Sequence, residues 1–199
     1  MPKGENMKNI ILASSSPRRI EMLEKYKLDP LVVKLPIEEK VSLTERPEQI
    51  VMSLAFEKAF LVSNKYNSDE IIIGADTIVV QNQKILGKPK DEGDAFNILK
   101  NLNGKEHQVL TGICVIRANS REKVVDYETT TVKFRHMSED KILRYVKTGE
   151  PMDKAGAYAI QGYGQILVDE IHGSYTNVIG LPIEKLDDIL EKYFNISIL

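Results

Sequence analysis

Apolar residues recur along this chain with two different periods, and the switches between them mark alternating strands and helices. NIILA at 9–13 has the length of a short buried strand. SSSPRR follows, with Ser16 in the N-cap position and Pro17 at the first helical one; Ile20 and Leu23 begin an apolar stripe. Residues 31–45 show no period and read as extended and irregular. A long helix is predicted from Pro47 to Ser63, its stripe running through Ile50, Leu54 and Leu61. IIIGADTIVV at 71–80 is two β-branched runs split by a polar patch, and Gln81-Asn82-Gln83 turns the chain into a partner strand at 84–86.

Asp91 then caps a helix to Leu102 that stops at Asn103-Gly104. Residues 107–118 and 123–135 pair as a hairpin, the second strand rich in threonine. Ser138 caps a helix to Thr148, ended by Gly149-Glu150-Pro151. A glycine-rich stretch at 156–164 leads to a strand at 165–170 and a loop. Pro182 starts a last helix carrying Ile183, Leu186, Ile189, Leu190 and Tyr193. Strands and helices interleave, but not as an even β-α-β repeat, so the expected class is α/β with a mixed sheet and flanking helices.

Composition narrows the function classes. The chain has 199 residues, 42% hydrophobic and 28% charged, with a net charge of -2. That suits one domain, or two lobes, with a substantial core. There is no global basic field of the kind that sequence-independent binding to nucleic acid requires, so nucleic acid is not the expected partner. The apolar runs fall far short of the ~20 residues of a membrane helix. MPKGENMK lacks the apolar region of a signal peptide, and Met7 just before the first strand marks 1–6 as a disordered extension. The single cysteine, Cys114, lies in the apolar run GICVI and reads as an inert core residue. The expected compartment is the cytoplasm.

Five strings can carry chemistry. SSSPRR puts Ser14, Ser16, Arg18 and Arg19 at a helix N-terminus, where unpaired amides and the macrodipole favour an anion. Arginines there oppose the dipole unless a phosphate accompanies them; read alone, a serine cap with two solvated arginines does as well. Lys58 shares the apolar stripe of the long helix, four residues after Leu54, and either snorkels to water or is held for a purpose. Asp76, between two strongly β-forming runs, is costly to bury unless it is paired or binds a cation. It can hold Mg²⁺ or Mn²⁺ or accept a proton from water, or it can belong to a Gly-Ala-Asp-Thr turn. Lys88 in LGKPKD sits in a loop before a helix, either solvated or on a second phosphate. GEPMDKAGAYAIQG carries Glu150, Asp153, Lys154 and Gln161 among small residues that let a ring lie close to backbone. A glutamine amide matches part of the acceptor-donor-acceptor edge of uracil or thymine.

Other chemistries are absent. NLNGKEH lacks the spacing and hydroxyl of a phosphate-binding P-loop, and no G-x-S-x-G elbow occurs. His107, His136 and His172 have no zinc-like spacing. His136 and His172 read as surface residues, and His107 as either surface or core.

ILASSSPRRIEML, LAFEKA, IIIGADTIVV, LGKPKD, NGKEHQVLTG, GEPMDKAGAYAIQG and GSYTNVIGLPIEKL occur in this order over nearly the whole chain. Together they resemble the Maf family of nucleotide pyrophosphatases, once described as septum-formation inhibitors. The resemblance implies an elongated mixed α/β fold with a central cleft, like that of inosine-triphosphate pyrophosphatases and often a homodimer. It implies hydrolysis of a nucleoside triphosphate to the monophosphate and pyrophosphate with a divalent metal, Mg²⁺ or Mn²⁺. Asp76 matches the family's proton acceptor, and Ser14, Arg18, Arg19, Lys58 and Lys88 its phosphate-side positions. Glu39 matches an acidic position that helps Asp76 hold the metal, although Glu38 is adjacent and the choice between them stays open. Arg18, Thr77 and Gln161 resemble the branch acting on dTTP and UTP. The alternatives are modified nucleotides such as 7-methyl-GTP, or a non-catalytic nucleotide-binding regulator of cell division.

Overall fold

The computed structural model describes residues 10–36 and 45–199, and within them the two periods become seven strands and six α-helices. In the first half these are β1 (Ile10–Leu12), α1 (Pro17–Lys25), β2 (Leu31–Val32), α2 (Pro47–Ser63), β3 (Ile71–Gln81), β4 (Lys84–Leu86) and α3 (Glu92–Leu102). In the second they are β5 (Glu106–Arg117), β6 (Lys123–Phe134), α4 (Glu139–Val146), β7 (Val168–His172), α5 (Tyr175–Ile179) and α6 (Ile183–Ile189). The strands form one sheet in the order β2-β1-β3-β5-β6-β7, with β4 added to β3. β1 is parallel to β2 and β3, whereas β4 on β3 and β7 on β6 are antiparallel. This is the mixed α/β architecture that the pattern predicts.

The chain divides into two compact units. The first comprises Met1–Asp76, Thr111–Glu128 and Gly180–Leu199; the second comprises Thr77–Leu110 and Thr129–Ile179. The core of the first unit joins Ile11 and Ile72 on the sheet with Ala55, Ala59 and Val62 of α2 and Cys114 and Ile116 of β5. Two glycines let α2 lie directly on the strands. A Cβ on Gly74 would stand 2.4 Å from the Ala55 carbonyl oxygen, and one on Gly112 would stand 2.0 Å from that of Val51. No larger residue fits at either position without moving the helix.

In the second unit α3 packs on α4, and His107, Phe134 and Tyr158 form a buried cluster of edge-to-face rings. Asn82 and Gln83 both adopt positive φ in the two-residue turn between β3 and β4, the backbone that a tight hairpin demands. Asp91 and Ser138 cap α3 and α4, each accepting a bond from a backbone amide three residues on.

Several expectations are corrected. IIIGADTIVV is one continuous strand, not a turn between two, because both runs are buried and in ladder register. Leu61 is exposed: the buried face of α2 is centred on Val51, Leu54, Ala55, Ala59 and Val62, and Leu61 falls at its edge. The strand expected at 165–170 starts later, at Val168, after a short 3-10 segment at Tyr163–Leu167. α5 stands where a loop was expected, with Asn177 buried and donating to the Val109 carbonyl at 3.0 Å and to Thr130 Oγ1 at 2.9 Å. The last helix loosens into a π-type turn at Leu190–Phe194, leaving Tyr193 exposed and Phe194 in its place inside. The expectations for residues 1–6, and for Glu38 and Glu39, lie outside the described residues.

Candidate active site

Among the described residues, five of the predicted site residues belong to the first unit: Ser14, Arg18, Arg19, Lys58 and Asp76. β1 pairs with β3 in parallel, Leu12 opposite Ile73, and the Ala13 amide donates to the Ile73 carbonyl at 2.8 Å. Ser14 therefore emerges at the same end of the sheet as the Gly74-Ala75-Asp76 stretch of β3. Ser14 is 9% exposed, and its Oγ accepts from the Ser16 amide at 3.3 Å and from an Arg19 terminal nitrogen at 3.0 Å. Arg19 Nε donates to the Gly180 carbonyl at 2.7 Å. Two nitrogens of the fork are thus engaged by the protein, which ties the start of α1 to the segment before α6. Ser16 occupies the N-cap of α1 as expected, but its side chain caps no amide of the first turn. Arg18 lies in that turn, half-buried.

Lys58 follows Leu54 by four residues and precedes Val62 by four, so it projects from the middle of the buried face of α2. It does not simply reach out to water: Lys58 Nζ forms an ion pair with Asp76 Oδ1. The close approach at Gly74 makes the pair possible. Alternate residues of a strand share a face, so Asp76 points the same way as Gly74, toward α2. The side chains keep 16% and 13% of their surface exposed, so the pair borders solvent while removing much of the cost of burying either charge alone.

Thr77, Lys88 and Gln161 belong to the second unit. Thr77 is half-buried and lies on the strand face opposite to Asp76, the face of Val79. The Val79 side chain abuts Gly156, where a Cβ would stand 2.9 Å from it. The Gly156 amide donates to the Gly87 carbonyl at 3.1 Å, joining the loop that carries Lys88 to the AGAYAIQG segment. Lys88 and Gln161 are both exposed.

Among the described residues there is no group of three or more His, Cys, Asp or Glu side chains able to hold a metal by themselves. Mg²⁺ does not need one, since it is commonly bound through one or two carboxylates and the substrate's own phosphates. Asp76, with its second carboxylate oxygen outside the Lys58 pair, suits that mode.

Reading the sequence missed two contributors. The Gly180 carbonyl that anchors Arg19 leaves no trace in residue type. Tyr145 looks like one more core residue of α4, yet its hydroxyl donates to Glu150 Oε1 at 2.8 Å. Burial, then the Glu150 hydrogen bond, raises its pKa, so it remains a donor. The histidine assignments hold: His136 and His172 are exposed. His107 is buried, its Nε2 2.8 Å from the Tyr158 hydroxyl, and burial lowers its pKa from 6.5 to about 4. Cys114 is fully buried, and burial pushes its thiol up to about 12, as expected of an inert core residue. A pocket of about 420 Å³ lined by Phe56, Phe60, Tyr66, Arg117 and Lys123, among others, includes none of the candidate residues.

Residues 9–193 match the family described as Maf-like protein. A dTTP/UTP pyrophosphatase of Clostridioides difficile (strain 630) is 52% identical over 190 residues, 96% of this chain and 97% of that protein. A dTTP/UTP pyrophosphatase of Alkaliphilus oremlandii (strain OhILAs) is 49% identical over 193 residues, 97% of this chain and all of that protein. The solved nucleoside-triphosphatase / dITP/XTP pyrophosphatase of Mycobacterium abscessus is 12% identical, covering 94% of this chain and 95% of its own, with a TM-score of 0.43, too slight a likeness to argue from. With a family match across nearly its whole length and relatives at half identity, this chain belongs to the Maf family.

Proposed function

We propose that the protein hydrolyses dTTP and UTP to the monophosphate and pyrophosphate. The observation that carries this reading is the Lys58–Asp76 pair, a carboxylate set against a cation at the sheet end where Ser14 and Arg19 also lie. The names of the relatives at about half identity support the same substrates.

In this mechanism the first turn of α1, Ser14, Arg18 and Arg19 meet phosphate oxygens, and Lys88 supplies a further cationic contact. Lys58 fixes the orientation of Asp76 and adds positive charge beside the phosphates. Asp76 accepts a proton from a water whose oxygen attacks the α-phosphorus; the bond to the α,β-bridging oxygen breaks, and pyrophosphate leaves with that electron pair. Asp76, aided by Glu39, would hold a divalent ion, Mg²⁺ or Mn²⁺, which when bound would supply neutralisation of the developing charge. Gln161 reads the uracil or thymine edge, with Thr77 and Arg18 completing the preference.

Among the described residues no helix is long and apolar enough to cross a membrane. The cytoplasm is the compartment we propose, on the composition of the chain alone. A homodimer is the expected assembly.

The test is pyrophosphate release with Mg²⁺ or Mn²⁺ from a panel of dTTP, UTP, CTP and 7-methyl-GTP. Stoichiometric pyrophosphate and monophosphate from dTTP and UTP is the expected result. Turnover confined to 7-methyl-GTP would transfer the activity to modified nucleotides, and nucleotide binding without release from any of the four would leave a regulator.

A further inference from the structure

Glu150 has no place in the chemistry above, yet its side chain is among the most heavily hydrogen-bonded in the second unit. Oε1 accepts from the Tyr145 hydroxyl at 2.8 Å and from the Gly164 amide at 2.8 Å. Oε2 accepts from the Tyr163 amide at 2.8 Å. The Tyr145 oxygen in turn accepts from the Ala159 amide at 3.2 Å. One carboxylate and one phenol therefore grip backbone amides at 159, 163 and 164, on both sides of Gln161. Ile160 anchors the same turn by burial, at 3% exposure, while Gln161 itself faces solvent. The fit leaves no slack: a Cβ on Gly162 would stand 1.9 Å from Glu150 Oε2.

A carboxylate that accepts three bonds is a stiff connector, because each bond to an ionised group is stronger than its neutral counterpart. Such clamps matter most for an exposed reader. Without one, Gln161 and the turn that carries it must be ordered each time a base binds, and that ordering subtracts from affinity and discrimination.

We propose that Glu150, through Tyr145 and the backbone of 159–164, is the positioning residue that gives this chain its preference for a uracil-type base. The inference rests on the assignment of base reading to Gln161 and deepens it. Both oxygens of the carboxylate are engaged by the Tyr145 hydroxyl and by backbone amides. Its loss should therefore appear in discrimination between bases, chiefly through KM, more than in the rate of bond cleavage.

The experiment measures kcat and KM for UTP and CTP with wild type, E150Q, Y145F, Q161A and E150Q/Q161A, each checked for folding by thermal melting. E150Q sets an amide donor against a backbone donor without changing size, and should lower the UTP-over-CTP ratio of kcat/KM by about tenfold. Y145F removes one hydroxyl and should lower the ratio by a smaller factor; it decides the matter alone should E150Q not fold. E150Q/Q161A should match Q161A, since the clamp acts only through the residue it presents. A merely structural role would lower the melting temperature and scale both nucleotides alike. Wild-type ratios in E150Q and Y145F would overturn the proposal while a collapsed ratio in Q161A left the base-reading assignment standing. An unchanged ratio in Q161A would remove Gln161 as the reader and, with it, the inference drawn here for Glu150.

Discussion

Asp76 and Thr77 are neighbours on one strand, yet they belong to regions held by different physics. Around Asp76 the constraint is steric. Alanines and glycines bring α2 into backbone contact with β3 and β5, and the position of Lys58 follows from that contact. Around Thr77 and the 156–164 segment the constraint is polar. A turn without long regular structure is fixed by a carboxylate, a phenol and backbone amides. Packed backbone tolerates almost no change of volume, and a hydrogen-bonded turn is sensitive besides to a changed donor or acceptor. The region assigned to chemistry is thus built to keep one geometry, and the region assigned to base choice depends on a few exchangeable polar groups.

That contrast can be broken at several points. The largest effect is expected for Asp76→Asn, which keeps shape and removes the proton acceptor: turnover should fall by about 10³-fold. Substrate affinity measured by calorimetry should largely persist. Turnover within about tenfold of wild type would end the role given to Asp76.

Gly112→Ala tests the steric half without touching chemistry. Its Cβ would fall 2.0 Å from the Val51 carbonyl oxygen, so helix or strand must shift. Urea denaturation should register a loss of about 3 kcal/mol. A cost below about 0.5 kcal/mol would mean that α2 adjusts freely and the contact does not define the site.

His107 probes the core of the second unit. Its folded pKa, about 4, lies below the unfolded 6.5, so the folded state prefers the neutral ring. The resulting stability is fully present above pH 6.5 and is lost as pH falls toward 4. Relative to His107→Gln, the wild type should lose a stability approaching about 3 kcal/mol across that window, read from denaturation curves at several pH values. Parallel pH profiles for the two proteins would contradict it.

Lys88→Ala should produce the smallest effect, raising KM for UTP about tenfold with kcat changed less, as expected for a flexible point charge on a phosphate. An unchanged KM would detach Lys88 from the substrate.

Much of this was legible in the chain itself. The spacing of apolar residues located α2 from Pro47 to Ser63, and Lys58 four residues after Leu54 had to sit on its buried face. The charge of Asp76 between two β-branched runs signalled that something must compensate it, and Lys58 does. Boundaries failed where periodicity carries no information. Leu61 has the right spacing but lies at the edge of the buried arc, and α5 is too short to show a period.

Local sequence determined the elements, their caps and the unusual residues, because propensity, capping and turn chemistry act over a few positions. Pairings across the chain were decided only by the tertiary structure. Arg19 meets Gly180, Lys58 meets Asp76, and Glu150 and Tyr145 together grip both sides of Gln161's turn. The reason is physical: which donor meets which acceptor depends on how strands register and how closely a helix can approach them, and no single residue type encodes that distance.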